Sequence, residues 1–241
     1  MIEILPVEGL PEIREGADLA GLIVAAAELR DGDVVCIAQK IVSKAEGRVV
    51  RLADVDPSDE ARQLAGRDGD ARRLEVILSE STRILRSRPP LAIAETRQGF
   101  VCASAGVDAS NAPEPDSVVL LPEDPDGSAA RIREDLQRLT GRAVGVIVTD
   151  TFGRAWRVGI SNVAIGSAGV EVVRDLRGHH DPTGYELHST VIAIADEIAA
   201  AAELVMGKTE RIPVAIVRGL AVTGDGTAQD LVMAPEHDLF R

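Results

Sequence analysis

Val146-Ile147-Val148-Thr149-Asp150-Thr151-Phe152-Gly153-Arg154 is the stretch on which the reading of this chain turns. The apolar run from Ala143 to Thr149 is too short for a typical buried helix and suits a strand covered on both faces. Such a strand delivers Asp150 and Thr151 at its carboxyl end, where open α/β sheets place their ligands. Gly153 is expected to turn the backbone sharply, with Arg154 and Arg157 just beyond. A carboxylate beside a hydroxyl is a hard-oxygen set suited to Mg2+ or Mn2+, and neighbouring arginines suit phosphate or carboxylate. An Asp-capped turn with two solvated arginines would use the same residues.

Upstream, a second buried strand is expected over residues 34–38, after the turn Asp31-Gly32-Asp33. Further strands are expected at 2–5, 169–176 and 213–217, and a hairpin from 91–95 and 99–103. Helical spacing predicts helices over 18–29, 74–85 and 128–139, with an Ala-rich helix over 186–206 as the longest. Residues 54–73 read as an exposed helical connection. Interspersed helices and strands give an α/β or mixed α+β class in one domain over 1–241, with a weak sub-domain boundary at 113–125.

Composition narrows the function. The chain has 241 residues, 45% of them hydrophobic but only 2% aromatic, and a formal charge of −13. Stacking platforms for single strands are scarce, and the charge opposes a general phosphate-backbone binder, so no nucleic-acid role is expected. No apolar run is long enough for a bilayer, and Met1-Ile2-Glu3 opens an acidic mixed segment rather than a secretory leader. A cytoplasmic protein without membrane contact is the expectation. Cys36 and Cys102, in strand-like apolar contexts, read as buried free thiols.

Two further strings carry chemistry. Ala105-Gly106-Val107-Asp108-Ala109-Ser110-Asn111 brings a second carboxylate on a small-residue loop, although an Asx-turn with a helix cap would explain it equally. Gln39-Lys40-Ile41-Val42-Ser43-Lys44-Ala45-Glu46-Gly47-Arg48 follows a buried strand and reads as a loop whose Lys40, Lys44 and Arg48 await an anionic ligand or only solvent. No Walker A loop and no Gly-x-Gly-x-x-Gly fingerprint occurs. Gly178-His179-His180-Asp181 suits an active-site loop better than a zinc site, and Met206-Gly207-Lys208-Thr209-Glu210 is explained by a Gly helix cap.

In matching order along the chain, several strings resemble the coenzyme F420-0:gamma-glutamyl ligase family. They are Leu5-Pro6-Val7-Glu8-Gly9-Leu10-Pro11, residues 40–48, residues 105–111, Thr149-Asp150-Thr151-Phe152-Gly153-Arg154-Ala155-Trp156-Arg157, residues 195–199 and residues 213–219. The resemblance implies a mixed α/β fold in an intertwined homodimer. It implies GTP- and divalent-metal-dependent amide formation between L-glutamate and the terminal carboxylate of coenzyme F420-0, through an acyl phosphate. By family analogy Asp108, Asp150 and Thr151 hold Mg2+ or Mn2+, with Glu210 as a further ligand and K+ as an optional further cation. Leu10, Pro11, Glu12, Ile13, Gln39, Lys44 and Asn111 contact GTP, Met206, Gly207, Lys208 and Thr209 lie along it, and Asp150, Arg154 and Lys44 are catalytic. Gly159-Ile160-Ser161-Asn162 stands where the family reads Gly-Gln-Thr-Asp, and Lys208 where a Gln is often seen, which opens a different acceptor or a silent deazaflavin-binding module as alternatives. Residues 235–241 resemble the point where two-domain relatives continue into a flavin-binding reductase-like domain, as a C-terminal half or a separate partner.

Overall fold

The computed structural model describes residues 1–239; the last two residues of the 235–241 string lie outside the described residues. In chain order the elements are β1 (Glu3–Pro6), α1 (Leu19–Ala26), β2 (Val34–Ala38), α2 (Gln39–Ala45), β3 (Val49–Arg51), α3 (Asp59–Ala65) and α4 (Ala71–Ser79). There follow β4 (Ser81–Arg88), β5 (Leu91–Thr96), β6 (Val101–Ala103), β7 (Ser117–Val119), α5 (Pro125–Thr140) and β8 (Gly145–Arg154). The chain continues through β9 (Arg157–Ala168), β10 (Arg174–Asp175), β11 (Val191–Ile192), α6 (Ile194–Met206) and β12 (Val214–Arg218). The class is mixed α/β.

A five-stranded sheet in the order β1-β12-β2-β8-β9 organises the molecule. Only β2 and β8 run parallel, Val34 facing Gly145 and Ala38 facing Thr149; the other pairs are antiparallel. Because side chains alternate along a strand, the unbroken apolar runs feed two cores at once. Val35, Ile37, Val146, Val148, Val214 and Ile216 pack with Ile23 of α1 and Ile132 and Leu136 of α5. On the opposite face Val34, Cys36, Ile147, Ala215 and Val217 pack with Ile198, Ala199 and Ala202 of α6. Small alanines let α6 approach the sheet closely, and Gly166 does the same under α5, where a Cβ would stand 2.2 Å from the Pro125 carbonyl oxygen. A third core, with Leu74, Ile77, Ala92, Ala94 and Val118, holds together the excursion between β2 and β8.

Several expectations are corrected. Residues 40–45 are helix, not loop, because α2 begins immediately after β2, burying Ile41 and Val42; only 46–48 lie outside the helix. Residues 81–85 are strand, not helix, since β4 pairs with β5 and that pairing overrides the local pattern. α6 starts only at Ile194 and has 13 residues, shorter than the 16 of α5; residues before it hold the short β10–β11 ladder. Only Arg174–Asp175 of the strand expected over 169–176 forms. Gly153 lies within β8, and the chain reverses at Ala155 and Trp156, the latter with φ 56°. The 12-residue β9 was not anticipated; its first four residues are exposed, Val158 and Ile160 among them. The two cysteines are buried and free, and burial pushes the Cys36 thiol up to about 12.

Candidate active site

β8 leaves the apolar core at Thr149 and presents Asp150 and Thr151 to opposite faces of the sheet. Asp150 lies on the same face as Val148 and Phe152, and the Phe152 ring meets Phe100 edge-on. This apolar surrounding pushes the Asp150 carboxyl up to about 6 by desolvation, only partly offset by the Thr151 backbone N–H and the Lys40 charge. The negative charge of Asp108 adds to the rise, and Lys208 opposes it.

Asp108 arrives on a strained loop. Ser104, Ala105 and Gly106 have φ of 55°, 50° and 73°, a left-handed run that non-glycine residues rarely adopt. A Cβ on Gly106 would stand 2.6 Å from the Leu121 side chain, so glycine permits this approach. Asp108 is then pinned by backbone bonds in both directions with Val119, at 3.0 and 2.8 Å. Its carboxylate accepts from the Ser110 backbone N–H at 2.7 Å and pairs with Lys40 Nζ at 2.7 Å. Desolvation raises this carboxyl, but the bonds from Lys40 and Ser110 outweigh it and hold it below the usual range.

On the other face Thr151 donates its hydroxyl to Asn162 Oδ1 at 2.7 Å and accepts from Lys208 Nζ. The Asn162 amide donates to Thr149 Oγ1 at 3.4 Å, which fixes its orientation. The β9 register holding Asn162 opposite Thr151 is set by a bulge at Ile165. Asp196, in the first turn of α6, accepts the Ala164 N–H at 2.8 Å beside that bulge.

The structure therefore brings Asp108, Asp150, Thr151 and Lys208 to one strand end, together with Lys40, Ser110 and Asn162, whose contacts there the sequence did not specify. Lys40 stood in the sequence as part of a positive cluster; its spacing of four from Lys44 on a helix was the available signal. Lys44 is buried and its ammonium meets Glu12 Oε1 at 2.5 Å. Arg48 meets Glu80 and Glu123, so the cluster's charges meet the chain's own carboxylates. Gln39 accepts from Ser43 through Oε1, while its buried Nε2 has no partner among the described residues.

Other expected residues lie elsewhere or act differently. Arg154 stands four residues beyond Asp150, about 13 Å along the strand, and donates to the Val158 carbonyl at the hairpin tip. Ile13 and Met206 are core side chains, which leaves only their backbone for a ligand. Glu210 folds back to accept from the Thr209 N–H and hydroxyl, bonds that hold its carboxyl below the usual range. Leu10 packs partly on the core, Pro11 and Asn111 are exposed, and Gly207 caps α6. The 178–188 loop is an exposed turn held by Asp181.

Among the described residues no cluster of three or more His, Cys, Asp and Glu side chains could by itself hold a metal. Mg2+ is commonly held by one or two carboxylates plus substrate phosphates, and the Asp108–Asp150 pair fits that pattern. An undercompensated carboxylate beside fixed ammonium groups thus stands at the carboxyl end of a mixed sheet, where α/β enzymes place their sites.

A model of the F420-0:Gamma-glutamyl ligase family matches residues 9–219. The coenzyme F420:L-glutamate ligase of Methanopyrus kandleri is 49% identical over 247 residues, covering all of this chain and 97% of that protein. The proteins of the same name from Archaeoglobus fulgidus and Methanothermobacter thermautotrophicus are 45% and 44% identical, again over all of this chain and 96% and 99% of their own lengths. The chain belongs to the F420-0:gamma-glutamyl ligase family and is an enzyme of the ligase class. No helix among the described residues is long and apolar enough to cross a membrane.

Proposed function

We propose that this ligase joins the amine of L-glutamate to the terminal carboxylate of coenzyme F420-0, driven by GTP and a divalent cation. The observation that carries this reading is the Asp108–Asp150 pair with Lys40 and Lys208 beside it, in a chain whose relatives are named for F420 and glutamate.

The carboxylate of F420-0 would take the γ-phosphoryl group with release of GDP. The glutamate nitrogen would then bond the carbonyl carbon as phosphate leaves. Asp108 and Asp150 would hold Mg2+ or Mn2+, which supplies neutralising charge to the transferring phosphoryl group. Lys40 keeps Asp108 ionised and oriented. The Lys44 ammonium lies under the exposed Glu12 carboxylate, which an incoming nucleotide phosphate can replace. The unpartnered Gln39 Nε2 is a spare donor for the same ligand. Asn111 and residues 206–209 would complete the nucleotide contacts. Exposed Val158 and Ile160 on the β8–β9 hairpin support the homodimer.

A different acceptor is a second reading, favoured by the neutral, buried Asn162 beneath the site. Incubation with F420-0, L-glutamate, GTP and Mn2+, followed by mass analysis, tests both. A GTP-dependent gain of glutamate that disappears in Asp150→Ala, by about 1,000-fold for a lost phosphoryl-stabilising charge, is expected. Phosphate release with another adduct would favour the second reading. Coenzyme binding without GTP consumption would leave only a silent binding module.

A further inference from the structure

Thr151 is the expected metal ligand whose surroundings least suit a metal. Its hydroxyl has one proton and two lone pairs. The proton goes to Asn162 Oδ1, and one lone pair accepts the Lys208 ammonium. Asn162 is turned toward Thr151 by its own bond to Thr149 and brings no charge. Lys208 is held there by the capped end of α6, where the Gly207 N–H bonds the Glu203 carbonyl at 3.0 Å, and its ammonium stands 3.6 Å from the Glu203 carboxylate.

A divalent cation on Thr151 would meet a neutral amide already engaged and a like charge on the oxygen it needs. The opposite face of the strand offers the reverse, two carboxylates with Asp150 largely uncompensated. We propose that the Lys208 ammonium is the fixed second positive charge of this site, so that one divalent cation binds, on Asp108 and Asp150, and none on Thr151. The inference rests on the metal- and GTP-dependent reading above and assigns Lys208 a role toward the phosphates that a second ion would otherwise fill.

The test is a Mn2+ titration of the full chain with the β,γ-imido analogue of GTP, following the free-ion electron paramagnetic resonance signal. Wild type and Lys208→Arg, which keeps the charge, should each bind one Mn2+ per chain. Lys208→Gln should bind two, with the broadened signal of a coupled pair. Lys208 is half exposed, so circular dichroism should show all three folded alike. Two ions in wild type, or a single ion in Lys208→Gln, overturns the role of Lys208 while leaving the ligase reading intact. No bound Mn2+ in any of the three overturns the metal site itself, and the inference with it.

Discussion

The two ends of the central sheet treat an aspartate at the edge of the core in opposite ways. At the amino end of β2, Asp33 is 0% exposed and fully partnered. Arg218 donates Nε and Nη2 to its two oxygens, each at 2.8 Å, and the Arg30 N–H adds a third bond at 2.8 Å. At the carboxyl end of β8, Asp150 has one backbone N–H and only the longer-range charges of Lys40 and Lys208. A bidentate guanidinium compensates desolvation and makes Asp33 part of the scaffold. The missing compensation at Asp150 costs stability, and under the proposed reading it leaves that carboxylate open to a cation.

Breaking the closed end should have the largest effect on folding. Arg218→Met leaves Asp33 buried and uncompensated, and should lower unfolding free energy by about 3–5 kcal/mol in denaturant titration. The folded fraction should keep its turnover, since Arg218 lies at the opposite end of the sheet. A loss below about 1 kcal/mol would erase the contrast.

The open end should respond with the other sign. In metal-free protein at pH 7, Asp150→Asn should gain up to about 3 kcal/mol while ligation is lost, the rise to about 6 setting the scale. The unfolded chain releases this proton near pH 4 and the folded chain near 6. The Asp150 contribution therefore falls as pH rises through that window and is flat above it. The Asn variant should lack that fall; parallel pH–stability curves would refute the assignment.

Smaller effects sharpen the boundary between the ends. Asp196→Ala removes the acceptor for the Ala164 N–H beside the Ile165 bulge and should cost about 1 kcal/mol, read from thermal unfolding. Lys208→Gln should stay within about 0.5 kcal/mol of wild type in the same scan, because its ion pair with Glu203 is long and half exposed.

The sequence made the middle of the sheet legible because both faces of β2 and β8 are covered, so Val34–Ala38 and the run ahead of Asp150 are apolar without interruption. Asp150 was readable for the same reason, as a polar residue just where such order ends, whereas Asp108 stood out only as a carboxylate on a small-residue loop. β9 was hidden because its first residues are exposed: Val158 and Ile160 alternate with Arg157, Gly159 and Ser161 but cover no core, and two glycines, Gly159 and Gly166, interrupt the strand. β4 was hidden because Ile84 and Leu85 follow a real helix in phase, and only pairing with β5 decides otherwise. The roles of Lys40 and Asn162 depend on partners 68 and 11 residues away, Asp108 and Thr151, and no local pattern encodes such pairings.

The hairpin that ends β8 also equips the molecule with an optical handle. Trp156, the chain's single tryptophan, stands at its tip with 83% of its surface exposed. Indole emission in this protein therefore starts from a wet, red-shifted state, and global unfolding has little further to move it. A second chain or a substrate that covers the tip would draw the emission toward the blue, so the fluorescence reports docking far better than it reports folding.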